Sequence, residues 1–161
     1  MKKKQMVRNS IYIGIDPGQS GGVAVLTRTG SVLIPMPKTE HDVYNSIRPF
    51  GGLFPHGVRA TIERVHAMPK QGVSSTFKFG RGYGFLRGCL VALGIPFEDV
   101  TPQTWMRALN VPPRRKNETK AQFKQRLRGV AQQLFPSEKI TLATADALLI
   151  AEYCRRTSNG N

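Results

Sequence analysis

Residues 11 to 26 read IYIGIDPGQSGGVAVL, and the alternation in that run constrains the fold more than any other feature of the chain. Side chains alternate across a strand, so Ile11, Ile13 and Ile15 fall on one face and Tyr12, Gly14 and Asp16 on the other. The first strand therefore ends on an acid that points away from its isoleucine face. Pro17 and Gly18 stop it; Gly21 to Leu26 and Ser31 to Met36 read as two further strands, joined by a turn through Thr29 and Gly30. The expected product is a three-stranded antiparallel meander.

Further along, Thr39 is placed to cap a short helix running through Ile47, and Pro49, Gly51, Gly52 and Pro55 make a loop. GVRATIERV supplies a fourth strand, with Val58, Ala60 and Ile62 on one face and Thr61 and Glu63 on the other. Glu63 thus ends a strand, as Asp16 does. From Ser74 to Leu93 a capping Ser and the apolar Phe77, Leu86, Leu90 and Val91 predict a long helix. Gly80, Gly82, Gly84 and Gly88 each cost that helix about 1 kcal/mol against Ala, and so many glycines predict close packing against another backbone.

Pro96 to Val100 reads as a short strand, and Thr101-Pro102 as the N-cap and first position of a helix carrying Trp105 and Leu109. NVPPRRKNE is a proline-rich basic loop. Phe123, Leu127, Val130 and Leu134 form the apolar stripe of an amphipathic helix. Lys116, Lys120, Lys124 and Arg128, each four apart, are expected to present a cationic ridge to solvent. Thr141 is placed to cap a last helix from Leu142 to about Tyr153, with Asp146 in its second turn. The order of strands and helices, with no repeat or linker, predicts a single α/β domain over 1–161.

Charge limits the partners of such a domain. Lys and Arg number 24 against 10 Asp and Glu, a net charge of +14, while a hydrophobic share of 40% excludes a disordered basic tail. A folded cation of this kind most often meets a phosphate backbone, with anionic membrane the lesser option. Cys89 and Cys154 lie far apart with no Cys or His at metal-ligand spacing, and both read as buried free thiols. No apolar run approaches a membrane span and MKKKQMVRNS leads into a strand rather than a signal core, so an intracellular, soluble protein is expected.

Among so few acids, Asp16, Glu63 and Asp146 are each surrounded by apolar residues. A buried carboxylate needs a cation beside it. If the first and fourth strands are neighbours, Asp16 and Glu63 stand together at their carboxyl ends, and the last helix can bring Asp146 against them. Mg²⁺ is held by a few carboxylates plus water and phosphate oxygens, and a two-metal arrangement would hydrolyse a phosphodiester. Gly18, Gly21 and Gly22 would then admit a substrate backbone and accept the positive φ of a tight turn. Plainer readings stand beside this one: Asp16 as a turn former, Glu63 paired with Arg64 at the surface, Asp146 as a helix-start acid, the ridge as a solvated face.

These segments, in order, resemble the RuvC-like Holliday-junction resolvases of the retroviral integrase and RNase H superfamily, whose compact members are common in phages and organelles. IGIDPGQSGGVAVL resembles the family's opening GIDPG…G, TIERV its second acidic strand, and ATADALLIA its DAADALA helix. STFKFGRGYGFLRGCL resembles its glycine-containing helix, and TPQTWMRAL with KNETKAQFKQRL its P-x-x-x-K and K-x-Q-V region. The resemblance implies an RNase H-like fold, with a central five-stranded mixed sheet of antiparallel meander plus parallel strands, flanked by helices.

It also implies an Mg²⁺-dependent endodeoxyribonuclease of DNA recombination and repair. Such an enzyme acts as a homodimer, with contacts from the glycine-rich helix, and nicks four-way junctions in symmetric pairs. Asp16, Glu63 and Asp146 would ligate Mg²⁺, or Mn²⁺ in its place, and Lys120 would be the basic residue near the scissile phosphate. Arg114, Arg115, Lys116, Lys120, Lys124, Arg81 and His66 would contact DNA, His66 standing at the family's aromatic wedge.

The chain departs from the pattern at Ala143, where the family helix carries a further acid that Glu138, Glu152 or Asp42 would have to replace. It departs again at Met106, beside Arg107, where the family has a basic residue. Three other functions stay open, one of them RNase H-type cleavage of RNA–DNA hybrid or tailed duplexes by the same metal chemistry. An actin-like or sugar-kinase ATPase shares the GIDxG opening but needs a second domain that 161 residues do not supply. A module that holds branched DNA without cutting it would use the same basic surface.

Overall fold

The structure, a computed structural model, describes residues 10–52, 57–65 and 72–158. Strand β1 (Ile11–Asp16) pairs antiparallel with β2 (Gly22–Leu26), which pairs antiparallel with β3 (Ser31–Pro35), so the meander forms as its alternation predicts. On its other side β1 runs parallel to β4 (Val58–Glu63), and β4 runs parallel to β5 (Phe97–Val100). The result is a five-stranded mixed sheet in the order β3-β2-β1-β4-β5.

Helices cover both faces. Helix α1 (Glu40–Ile47), capped by the Thr39 side chain on the Asp42 N–H, continues into a 3-10 turn at Arg48–Phe50. With α2 (Val73–Ala92) it covers the face formed by Ile13, Ile15, Val23, Val25, Val58, Ala60 and Ile62. The opposite face, which carries Tyr12, Ala24 and Leu26, packs on α3 (Pro102–Ala108), α4 (Lys120–Leu134) and α5 (Ala145–Ser158). Asp16 and Glu63 fall on this second face by strand parity. Cys89 and Cys154 are buried free thiols, one on each side of the sheet. Among the described residues no helix is long and apolar enough to cross a membrane.

Three details differ from the sequence reading. Helix α2 starts at Val73 behind Gly72, with no side-chain cap. Helix α5 starts at Ala145 rather than Leu142, because Thr144 turns its hydroxyl back onto the Thr141 N–H at 3.1 Å and the chain makes a turn first. Asp146 consequently lies in the first helical turn.

The third difference concerns the glycines. A Cβ on Gly80, Gly82, Gly84 or Gly88 would meet nothing within 4 Å. The crowded glycines are in the sheet and its first turn. A Cβ on Gly14 would stand 2.1 Å from the Ala147 carbonyl oxygen and 2.2 Å from the Ala151 nitrogen, so α5 lies directly on β1 only because Gly14 is bare. On Gly21 a Cβ would meet the Asp16 carbonyl oxygen at 2.4 Å, and on Gly22 the Ile34 carbonyl oxygen at 2.6 Å. Neither these two nor Gly18 has a positive φ. The glycines after Asp16 serve tight packing around that residue, not a left-handed turn.

Candidate active site

Parallel pairing of β1 with β4 sets Ile15 opposite Ile62, so Asp16 and Glu63 are the next positions on neighbouring strands. Close seating of α5 over Gly14 brings Asp146, from its first turn, to the same sheet end. Three acids separated by most of the chain thereby come near enough to act on one another's charge. The cation between them comes from α4: the Lys124 ammonium contacts Asp146 Oδ2 and lies 3.7 Å from Asp16 Oδ2. A capping box of Thr119 and Gln122 fixes the start of α4 and puts Lys124 in its second turn.

Each acid has its own setting. Asp16 Oδ1 accepts the Gly18 N–H at 3.3 Å, so the turn-forming role and the cluster role coexist in one side chain. Glu63 Oε2 accepts the indole N–H of the fully buried Trp105 at 2.8 Å. Burial, with the charges of Asp16 and then Asp146 nearby, pushes the Glu63 pKa up to about 7 against the opposing pull of Trp105 and Lys124. Burial also leaves Asp146 above the ordinary aspartate value although Lys124 contacts it. Burial pulls Lys124 down, but Asp146, Asp16 and Glu63 outweigh that and hold the ammonium above its usual value.

These directions share one cause. Were all three carboxylates ionised, one ammonium would leave a charge of −2 in a partly dehydrated place, and the raised values of Glu63 and Asp146 resist that state. A hard divalent cation suits that deficit, and the donors are all oxygen, including the buried Asp146 Oδ1, which has no hydrogen-bond partner. Among the described residues no three His, Cys, Asp or Glu side chains stand close enough to hold an ion together. Lys124 bridges Asp16 and Asp146 instead.

The remaining predicted residues are more dispersed. Lys120 is exposed at the start of α4, one turn before the lysine that meets the acids. Arg114, Arg115 and Lys116 are exposed in the loop ahead of α4. Arg81 is exposed on α2 and paired with Glu40 at 3.3 Å. His66 lies outside the described residues. The expected solvent ridge is broken, because Lys124 turns to the acids and Arg128 Nε donates to the Ile140 carbonyl at 3.0 Å.

At the positions of departure, Met106 is buried and Arg107 exposed. Ala143 sits in the turn before α5, its carbonyl oxygen 3.0 Å from where a Cβ on Gly22 would stand. Glu152 is held by Arg155 and Arg156, and Asp42 accepts the Thr39 hydroxyl at 2.6 Å. Neither they nor Glu138 figure among the charges acting on Glu63 or Asp146.

Sequence reasoning missed four features: the inward contact of Lys124, which it expected on the DNA-facing ridge, and the parts played by Trp105, Gly14 and Arg126. Lys124 and Trp105 gave no signal of what their helices face. Gly14 had one, since Ala147 and Ala151 are small residues four apart on α5 and match a bare strand position. Arg126 is the fourth: its guanidinium pairs with Glu118 and donates to the Pro112 and Pro113 carbonyls at 3.0 Å, pinning the basic loop to α4.

No family model matches the sequence, and a search of curated proteins finds no match either. Among solved structures, Thermus thermophilus RuvC aligns over 92% of this chain and 96% of its own length, with a TM-score of 0.56 and 17% identity. Thermus thermophilus RuvC in complex with a Holliday junction substrate aligns over the same shares, with a TM-score of 0.57 and 18% identity. The likeness is one of architecture along nearly the whole chain, and it shows an RNase H-like fold of the RuvC type.

Proposed function

We propose that this chain is a structure-selective, metal-dependent endonuclease that binds four-way or other branched DNA and hydrolyses phosphodiester bonds by symmetric paired nicking. The observation that carries the reading is the meeting of Asp16, Glu63 and Asp146 at one sheet end in a protein of charge +14. The RuvC-type fold, seen in one neighbour with a Holliday junction substrate, supports the substrate class.

On this reading Asp16, Glu63 and Asp146 hold Mg²⁺, or Mn²⁺ in its place. A bound ion would supply Lewis acidity at the phosphoryl oxygen and an activated water. The chain's own residues orient the reaction. Trp105 fixes the Glu63 carboxylate through its N–H, and the Gly18 N–H fixes Asp16. Arg126 holds the loop whose Arg114, Arg115 and Lys116, with Lys120, face solvent and meet phosphates. Arg81 and His66 are further DNA-binding residues on this reading.

A second copy of the chain completes the assembly. Gly80, Gly84 and Gly88 repeat every four residues along α2 with open space over them, flanked by the exposed Phe77 and Val91. A face of bare backbone edged by apolar side chains suits a crossing helix. Two sites in one dimer account for paired cuts.

A second reading, a branched-DNA-binding module with weak or no nuclease activity, is favoured by Ala143 and by the absence of a closed three-ligand group among the described residues. One assay separates the two. End-labelled four-way junction, three-way junction, linear duplex and RNA–DNA hybrid are incubated with the protein in Mg²⁺ and in Mn²⁺, beside Asp16→Asn. Paired nicks on junctions, lost in Asp16→Asn while binding persists, are expected. Binding without nicks in either metal would favour the second reading, and ATP turnover without cleavage would favour the actin-like or sugar-kinase ATPase.

A further inference from the structure

We infer that Lys124 is the built-in counter-cation of the carboxylate cluster, and that a divalent metal enters by displacing its ammonium rather than by filling a vacant cage. The inference rests on the metal-dependent reading above and adds a residue to it. Its basis is geometric. Lys124 is the one cation in contact with the cluster among the described residues: its ammonium contacts Asp146 Oδ2 and lies 3.7 Å from Asp16 Oδ2. A divalent ion bound by those carboxylates would compete for the same oxygens. The cluster is also not drawn into a three-ligand group while the lysine bridges it.

The neighbouring oxygen shows where closure is incomplete. Asp146 Oδ1 is buried with no partner, so the ammonium satisfies only one side of that carboxylate. With all three carboxylates ionised, the single ammonium would leave the site at −2, which a divalent ion in its place would bring to −1. Metal binding is therefore an exchange of cations. The helix that carries Lys124 starts at the basic loop, so the released side chain stays beside the surface proposed to hold DNA.

The exchange predicts an inverse effect: removing the lysine should weaken the metal-free protein yet tighten its hold on metal. The chain has a single tryptophan, Trp105, whose N–H is bonded to Glu63, so its fluorescence reports on the cluster without DNA or turnover. Mg²⁺ is titrated into the full chain and into Lys124→Met, with Lys120→Met as a control, at a mildly alkaline pH that keeps the carboxylates ionised.

Lys124→Met should bind Mg²⁺ at least about tenfold more tightly, the scale set by breaking a partly buried ion pair, and Lys120→Met should match the parent. Equal or weaker binding by Lys124→Met overturns the inference. Should that variant not fold, the parent alone decides. Acetic anhydride labelling read by mass spectrometry should find Lys124 protected without metal and reactive in saturating Mg²⁺, with the exposed Lys120 reactive in both. Protection of Lys124 that persists in Mg²⁺ also overturns it. A parent that takes up no Mg²⁺ refutes both this inference and the metal-dependent reading. Cation exchange without junction nicking leaves the inference intact and refutes the nuclease.

Discussion

Glu63 sits where burial and two neighbouring carboxylates oppose its charge, and one indole N–H with one ammonium does not offset them. Its folded pKa of about 7 lies above the unfolded value of 4.5. Between those values the unfolded chain gives up the proton while the folded chain keeps it, so stability falls as pH rises through the window. The loss from this one group is on the order of 3 kcal/mol. Glu118, which Arg126 holds down to about 2, works in the opposite sense, but its contribution is lost only as pH falls below 4.5. The metal-free protein should therefore melt lower at about pH 8 than at about pH 5. Calorimetry in the presence of a chelator should show that slope, flattened in Glu63→Gln. Trp105→Phe should move the decline to higher pH, because the lost N–H bond favours the charged carboxylate. A profile unchanged in Glu63→Gln would mean that another group titrates. At this scale the acids were legible in the sequence, because strand parity places Asp16 and Glu63 on one face. Lys124 was not: spacing of four along a helix says which residues share a face, not what that face meets.

Among the elements, the pairing of α5 with β1 decides the site. Asp146 reaches Asp16 only because Gly14 has no side chain, and a methyl group there would lie 2.1 Å from the Ala147 carbonyl oxygen. Backbone cannot yield as a flexible side chain does, so α5 would have to lift. Gly14→Ala should destabilise the protein by roughly 1–3 kcal/mol or more and weaken Mg²⁺ binding. Gly80→Ala, which meets open space in mid-helix, should raise monomer stability by about 0.5–1 kcal/mol. Comparing the two denaturation midpoints checks the contrast, and a well-tolerated Gly14→Ala would mean that α5 is not seated as described. All five strands could be read from alternation and turn residues, since each signal is local. Which glycines are crowded was not readable, because a bare position looks the same whether a neighbour fills it or not. The start of α5 was misplaced for a similar reason: Thr141 and Thr144 are both able to cap, and the hydroxyl of the second turns back on the first.

Across the whole molecule, charge is divided between two roles. Three of the acids are gathered at one sheet end, where Lys124 faces inward to meet them. Arg126 and Arg128 are also engaged within the protein, one pinning the basic loop and the other a carbonyl before α5. Arg114, Arg115, Lys116 and Lys120, in contrast, are exposed and close in sequence at the start of α4. Counterion release makes DNA affinity fall with salt in proportion to the phosphates neutralised, by about 0.9 in logarithmic slope for each contact. Neutralising these four together should flatten the salt dependence of junction binding by up to about 3.6 units if each meets one phosphate. Lys124→Met should leave the metal-free slope unchanged, since its charge is already taken up by Asp16 and Asp146. Binding isotherms at several salt concentrations give both slopes. An unaltered slope in the fourfold variant would mean that this face looks away from DNA, and a flattened one in Lys124→Met would mean that the ammonium reaches a phosphate before any metal arrives.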